Sequence, residues 1–409
     1  MAGSRAEALE VWEAFLPRAT HYAGLRNRVE TGHPHVTRLS PAIRSRLVSE
    51  EELIRSLLDR HGLSGVEKLV QEILWRQYWK GWLELRPQVW REYRASVRRW
   101  QESGDAAVLA RAEEVAQGRS GVAVMDRFAR ELMETGYLHN HARMWWASHW
   151  IHGERLPWEL GADWFYRHLL DADPASNTLG WRWVAGIQTP GKAYRVRRSN
   201  LERYCDGEYL ADETGLERLE DGALELAEVK ETVDRTVQPL EALEESVVGL
   251  AGSYGIWIHG EDASVETTLM GGMTPAGVLG GVDRDLTREH GLGGGRLKYM
   301  ERVLEDALGR ASRHFACPVE DFGMGKGGED LATGLVEGCR RRGWTSLVTM
   351  KPAVGPLRDQ LPALRDALAQ AGIGLRLCRR REDSELWPLA RGGYFGFWES
   401  VRRRRFTDS

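Results

Sequence analysis

The chain has 409 residues, 42% of them apolar and 28% charged, with a formal net charge of −4. It is long enough for two or more domains with real cores, and no stretch approaches the ~20 apolar residues of a membrane span. The N-terminal MAGSRAEALEVW lacks the apolar run of a signal peptide, so a soluble cytoplasmic protein is the expectation. The negative sum does not advertise a nucleic-acid binder, but it is unevenly distributed. Residues 211–246 hold 12 acidic against 3 basic residues, while the stretches on either side are slightly basic, so a local basic face remains open. Cys205, Cys317, Cys339 and Cys378 are scattered and form no C-x-x-C, which fits reduced, mostly buried thiols and no metal site.

Residues 4–20 read as a helix with Leu9, Trp12 and Leu16 near 3.6 spacing. Gly32 and Pro34 mark a loop. Ser40-Pro41 has the form of an N-cap and first-turn proline, and Ser49 with Glu52 has the form of a capping box. Residues 64–86 are a strongly apolar helix with Leu69, Ile73 and Tyr78 as core candidates. Glu72 on that helix needs a partner if it is buried. Residues 87–135 look helical and more polar, with Trp90 and Trp100 expected at the surface.

Residues 136–184 are the most unusual stretch. Trp145, Trp146, Trp150, Trp158, Trp164, Trp181 and Trp183 cannot share one helical face. Beside Asp171, Asp173 and Asn177, such a density of rings points to a buried organic cofactor with a polar rim. Lys192, Arg195, Arg197 and Arg198 follow, after a turn at Thr189-Pro190-Gly191; they are a solvated charge run or a loop against a phosphate backbone. Residues 211–246 read as an acidic linker, helical in part. Beyond it come a strand at 255–259, helices at 296–315 and 329–342, a strand at 346–350, a helix at 357–371 and a strand at 373–378. That alternation argues for a parallel α/β sheet. The glycine pairs, including Gly280-Gly281 and Gly325-x-Gly327-Gly328, read as loops, and none forms a dinucleotide fingerprint or a Walker sequence.

The blocks His139-Asn140-x-x-Arg143-Met144, Leu169-x-Asp171-x-Asp173-x-Ala175-x-Asn177 and Gly180-Trp181-x-Trp183 resemble the flavin-binding domain of DNA photolyases and cryptochromes. The resemblance covers roughly residues 20–205 and keeps the family's block order. Tyr22, Arg26 and Asn27 precede Val36-Thr37-Arg38-Leu39-Ser40, similar to the family's flavin-diphosphate block, with Val36 where the family has a threonine. Glu72, Trp75, Arg76 and Trp79 resemble the helix that lines the lesion pocket. Residues 118–126 resemble a conserved-type loop of that family in which Val122 and Ala123 replace an aromatic residue and a proline. His141 stands where the family usually has arginine.

The resemblance implies an α plus α/β architecture. An all-helical photolyase-type FAD-binding domain spans 1–210, the acidic linker 211–246, and a smaller parallel-sheet α/β domain 247–409. Ile256-Trp257-Ile258-His259 and Gly396-Phe397-Trp398 are similar in kind to the strand that opens and the segment that closes the family's α/β domain. That domain comes first in photolyases, so a circular permutation is implied.

By the same resemblance, FAD is held by Tyr22, Thr37, Arg38, Leu39, Ser40, Arg143, Asp171, Asp173 and Asn177. UV-damaged DNA is met by Arg26, Glu72, Trp75, Arg76, Trp79, Asn140, His141, Met144 and Trp183. Glu72, Trp75 and Asn177 serve the chemistry. Trp181, Trp158 and an outermost Trp100, with Trp90 second, carry electrons to the flavin. The implied activity is light-driven splitting of pyrimidine dimers by a monomeric enzyme. A cryptochrome-type photoreceptor without repair is the alternative, and a light-independent flavoprotein is a third. The antenna pigment and the lesion type stay open.

Overall fold

The computed structural model describes residues 1–243, 250, 252–282, 289–322 and 330–406. Its main helices are α1 (Arg5–Phe15), α2 (Glu50–Glu84), α3 (Pro87–Ser103), α4 (Ala106–Ala116), α5 (Ala123–Thr135), α6 (Asn140–Ser148), α7 (Trp158–His168), α8 (Pro174–Val184), α9 (Gly294–Phe315), α10 (Leu331–Arg342), α11 (Pro356–Gln370) and α12 (Tyr394–Arg405). The strands are β1 (Tyr254–Ile258), β2 (Val278–Gly280), β3 (Val319–Asp321), β4 (Ser346–Met350) and β5 (Gly374–Cys378). The architecture is helical plus parallel-sheet α/β. Among the described residues no helix is long and apolar enough to cross a membrane.

The chain forms two compact units that interleave in sequence. A sheet unit comprises Met1–Pro17, Leu39–Leu85 and Val237–Ser409, and a helical unit comprises Arg18–Arg38 and Arg86–Thr236. These units do not follow the consecutive blocks 1–210, 211–246 and 247–409. Only the crossing at Thr236–Val237 falls inside the expected connector.

In the sheet unit, α2 starts as its sequence dictates. The Ser49 hydroxyl accepts the Glu52 N–H at 3.2 Å, and the Glu52 carboxylate accepts the Ser49 N–H at 2.9 Å. The two bonds satisfy amides that a helix start leaves open. Gly62 breaks the run with φ +66° and ψ 164°, a backbone state that costs a side-chain-bearing residue far more than glycine. Beyond the break, Val66, Leu69, Val70, Ile73, Leu74, Gln77, Tyr78 and Gly81 are buried at three- and four-residue steps.

The five strands are all parallel in the order β3-β2-β1-β4-β5. β1, β4 and β5 fall where the sequence places strands, as do α9, α10 and α11. β2 and β3 were not foreseen, and Gly280, expected in a loop, is the last residue of β2. The Gly325 to Gly328 loop lies outside the described residues. Side chains alternate across the sheet. Trp257, Leu279 and Leu347 pack with Leu331, Leu335 and Cys339 of α10, Leu357, Leu364 and Leu368 of α11, and Trp344.

The strand order reverses between β1 and β4. In such sheets the crevice beyond the strand ends at that point is the usual ligand site. Here it is crossed by buried ion pairs. Arg380 meets both oxygens of Asp262 at 2.7 Å, and Arg46 meets both oxygens of Asp383 at 2.7 Å. His259 Nε2 lies 2.7 Å from the Met350 carbonyl oxygen. The guanidinium of Arg380 holds the Asp262 carboxyl down to about 2 against the desolvation of its site.

In the helical unit, α3 buries Val89, Trp90, Tyr93 and Val97. Trp90 is 1% exposed; the expectation of a surface ring fails because Trp90 lies on the inward stripe of a helix whose other residues are polar. Trp100 is half-buried. The first part of the acidic connector is docked rather than loose. Leu216, Leu219 and Leu224 are buried, and Arg218 reaches Glu154 at 2.5 Å. Arg198 pairs with Glu202 at 2.8 Å, Glu213 at 3.1 Å and Glu220 at 3.0 Å. The acidic residues thus meet part of the basic run that precedes them.

Candidate functional site

Within the helical unit the segment before α6 and the start of α8 assemble most of the expected cofactor residues. Arg143 donates through Nε to the Leu138 carbonyl at 2.8 Å and through a terminal nitrogen to Asp171 at 3.0 Å. Its guanidinium stands 5.7 Å from the Tyr137 ring, with that of Arg38 at 5.3 Å. Arg38 has φ +55°, so the chain turns sharply between the basic side chain and the residues that follow. Asp173 caps α8, accepting the Ser176 N–H at 2.8 Å, and Pro174 takes the first helical position, where its missing N–H costs nothing. Asn177, one turn on, donates to the Ala162 carbonyl at 2.7 Å. Asp171, Asp173 and Asn177 are all buried.

Two histidines belong to this place: His33, which the sequence reading did not single out, and His139, which it named only as the first residue of a motif. His33 Nε2 lies 2.8 Å from Glu131, whose other oxygen accepts the Tyr209 hydroxyl at 2.8 Å. The His33 ring lies 5.8 Å from that of His139 and 5.1 Å from that of Tyr137. Burial, with His33, His141 and Arg143 nearby, pushes His139 down to about 3. His139 is therefore neutral at pH 7. Its Nδ1 accepts the His141 N–H at 3.1 Å, which puts its proton on Nε2.

The remaining expected residues are spread more widely. Tyr22 begins a single helical turn, Tyr22–Leu25, and its carbonyl accepts the Arg26 N–H at 2.8 Å. Thr37 is half-buried and Asn140 is exposed. His141 lies 3.0 Å from the Asn27 carbonyl oxygen through Nδ1 and stacks on Trp145 at 4.2 Å. Burial lowers its pKa, so at neutral pH it brings no positive charge to a phosphate. Met144 and Trp183 are half-buried, and Trp183 stacks on Tyr194 at 5.5 Å.

Trp181 meets Phe165 at 5.1 Å, Trp146 at 6.1 Å and Trp150 at 6.4 Å, all edge-on. Its ring lies so close to α7 that a Cβ on Gly161 would come within 2.3 Å of it. Only glycine permits that approach, one turn from Trp158. Trp158 in turn stacks on Tyr93 of α3 at 5.4 Å, the helix that carries Trp100. The burial of Trp90 removes it as an outermost member of an electron relay.

Leu39, Ser40, Glu72, Trp75, Arg76 and Trp79 lie in the sheet unit. Ser40 begins a short helix, Ser40–Arg44, with Pro41 in its first turn and Leu39 in the cap position, so the hydroxyl expected to cap makes no cap bond. Glu72 pairs with Lys68 at 3.3 Å and is partly exposed. Trp75 stacks on Tyr394 of α12 with centroids 3.7 Å apart and planes 7° apart, and lies 5.1 Å from Trp79. The Tyr394 hydroxyl donates to the Gln71 carbonyl at 2.6 Å.

A family model described as the FAD binding domain of DNA photolyase matches residues 69–205. Residues 69–205 belong to the photolyase/cryptochrome superfamily. A deoxyribodipyrimidine photo-lyase of Streptomyces griseus is 34% identical over 173 residues, 41% of this chain and 37% of that protein. One from Thermus thermophilus is 33% identical over 195 residues, 44% of this chain and 41% of that protein. Cryptochrome-1 of Arabidopsis thaliana is 36% identical over 98 residues, 23% of this chain and 14% of that protein. A solved bacterial class III photolyase from Agrobacterium tumefaciens is 26% identical with a TM-score of 0.43, over 51% of this chain and 44% of that one. The chain spans about two fifths of the length of these first photo-lyase relatives.

The photolyase-type domain offers donors and acceptors that suit a flavin dinucleotide. Arg38 Nε, the Thr178 hydroxyl and Trp181 Nε1 are buried without a partner among the described residues. Each such group costs about 1–3 kcal/mol unless something satisfies it. With the buried carboxylates of Asp171 and Asp173, these are the kinds of donor and acceptor that a planar ring with a hydroxylated, phosphorylated tail calls for.

Proposed function

We propose that the chain is a light-driven DNA-repair flavoprotein, a deoxyribodipyrimidine photo-lyase that splits UV-induced pyrimidine dimers. The observation that carries the reading is the match of residues 69–205 to the FAD binding domain of DNA photolyase, in a chain that keeps Glu72, Trp75 and Asn177. FAD, bound and reduced, supplies on illumination the electron that opens the dimer and afterwards takes it back. Tyr22, Thr37, Arg38, Leu39 and Ser40 hold its diphosphate. Arg143, Asp171 and Asp173 hold the polar middle, and Asn177 faces the ring. The dimer is flipped out of the duplex. Glu72 hydrogen-bonds its bases and Trp75 stacks on them, while Arg26, Arg76, Trp79, Asn140, His141, Met144 and Trp183 complete the DNA-facing set. Trp181, Trp158 and Trp100 relay electrons inward. The enzyme acts as a cytoplasmic monomer, and its α/β part follows the flavin domain as a circular permutation of the family's order.

The test is to load the purified chain with FAD and incubate it with a UV-irradiated oligonucleotide in light and in darkness. The reading requires one FAD per chain and restoration of thymines in the light only. Failure to take up FAD, or equal outcomes in light and dark, sinks it. A cryptochrome-type photoreceptor is the second reading. It is favoured by the Tyr394 ring already stacked on Trp75, and its signature is flavin photoreduction without repair.

A further inference from the structure

We propose that the outward edge of α12, with Phe395 at its start and arginines at its end, is a DNA-binding surface of the sheet unit. This deepens the repair reading and rests on it. Phe395 is 77% exposed, while the other exposed large apolar side chains lie between 37% and 52%. A ring held so far into water leaves a face open for a base to stack on.

The ring is not loose. It meets Tyr394 edge-on at 6.0 Å, Tyr394 stacks on Trp75 at 3.7 Å, and Trp75 meets Trp79 at 5.1 Å. Four rings thus run from α2 to the surface and end in a free face. Around that face the backbone is bare. A Cβ added at Gly392, Gly393 or Gly396 would touch nothing within 4 Å, so another chain can come close to the main chain there.

The charge matches a phosphate backbone. Tyr394, Phe397, Trp398 and Val401 face inward. Arg402 stands two helical turns from Phe395 on the same edge, and Arg402, Arg403 and Arg404 are all exposed. Arg405 is instead tied to Glu51 and Glu385. Glu399 is the acid on the helix. A flat ring on an open shelf beside arginines suits a base stacked on Phe395 with its phosphates along Arg402 and Arg403, the two arginines nearest its edge of the helix. Such contacts take hold of DNA without reading its sequence.

The experiment measures dark binding of the full chain to a fluorescent oligonucleotide, irradiated or not, across a series of salt concentrations. Phe395→Ala should weaken both complexes by about five- to a hundredfold. Phe395→Trp should restore them. Arg402→Ala combined with Arg403→Ala should lower the salt slope by about two. FAD content and melting temperature should stay at wild-type values, because the altered side chains are at the surface. Wild-type affinity and slope in both variants, with the parent chain binding DNA, overturns the inference and leaves the repair reading standing. A parent chain that binds no DNA removes both. If Phe395→Ala binds DNA normally but converts a dimer to a monomer, the surface is a contact between copies and the inference fails.

Discussion

Asp262→Asn is the sharpest probe of the crevice where the strand order reverses. The substitution keeps the shape and removes the charge. In the native fold Asp262 is 3% exposed and takes two bonds from Arg380. Its pKa falls from 3.8 to about 2, which corresponds to roughly 2 kcal/mol of stability from this carboxylate. Because the folded value is depressed, that stability is present above about pH 4 and is lost as pH falls through about 2. The neutral variant also leaves the buried Arg380 with only the more distant Glu382, 3.8 Å away, as counter-charge, so the expected loss at pH 7 is about 3–5 kcal/mol. Amide hydrogen exchange in β1 and β4, read together with guanidinium unfolding, measures it. Asp262→Asn combined with Arg380→Met removes both charges and should recover most of the loss. A single variant within about 1 kcal/mol of the parent, or one whose stability between pH 4 and 2 falls as steeply as the parent's, refutes the reasoning.

Trp181→Phe keeps an aromatic ring against Gly161, so the fold and FAD content should survive. Photoreduction of oxidised flavin under blue light with a thiol donor should fall steeply while repair by pre-reduced enzyme persists; a wild-type photoreduction rate means the electrons enter elsewhere. Glu72→Ala should lower repair about tenfold to a hundredfold, as for a lost hydrogen bond to a charged group, with FAD content unchanged because its partner Lys68 lies on the same helix. Equal loss of flavin would place Glu72 in the cofactor site. Limited proteolysis should cut first within residues 225–243, most of which are exposed, and later around 216–224, where Leu216, Leu219 and Leu224 are buried; early cleavage inside α6 or α8 contradicts this.

What the sequence makes visible here is mostly local. Ser49 and Glu52 announce their helix because the two capping bonds are made within four residues. β1, β4 and β5 are runs of five residues between clear breakers, whereas β2 and β3 have three each, too short for alternation to register. The site divides the same way. Asp171, Asp173 and Asn177 lie within seven positions and form one helix start, so their spacing carries the signal. His33 reaches His139 from the far side of more than a hundred residues, and nothing local marks it. The inward turn of Trp90 is decided by neighbours on α7 that its polar flanks do not reveal. The Tyr394 ring on Trp75 joins residues from opposite ends of the chain. It is a tertiary contact that no propensity encodes.

The interleaving of the two units sets the order in which this protein can fold as it is made. The helical unit has all its residues once position 236 has left the ribosome. The segments Met1–Pro17 and Leu39–Leu85, synthesised early, belong to a unit whose sheet is still unmade. At about 5–20 residues per second, the last two fifths of the chain takes roughly 10–35 s to appear. Throughout that interval the apolar face of α2 has no native cover, and α12, which supplies the ring for Trp75, comes last of all. A nascent chain in this state is a natural client for a chaperone that shields exposed helices, and a pause in translation ahead of α12 would lengthen its exposure.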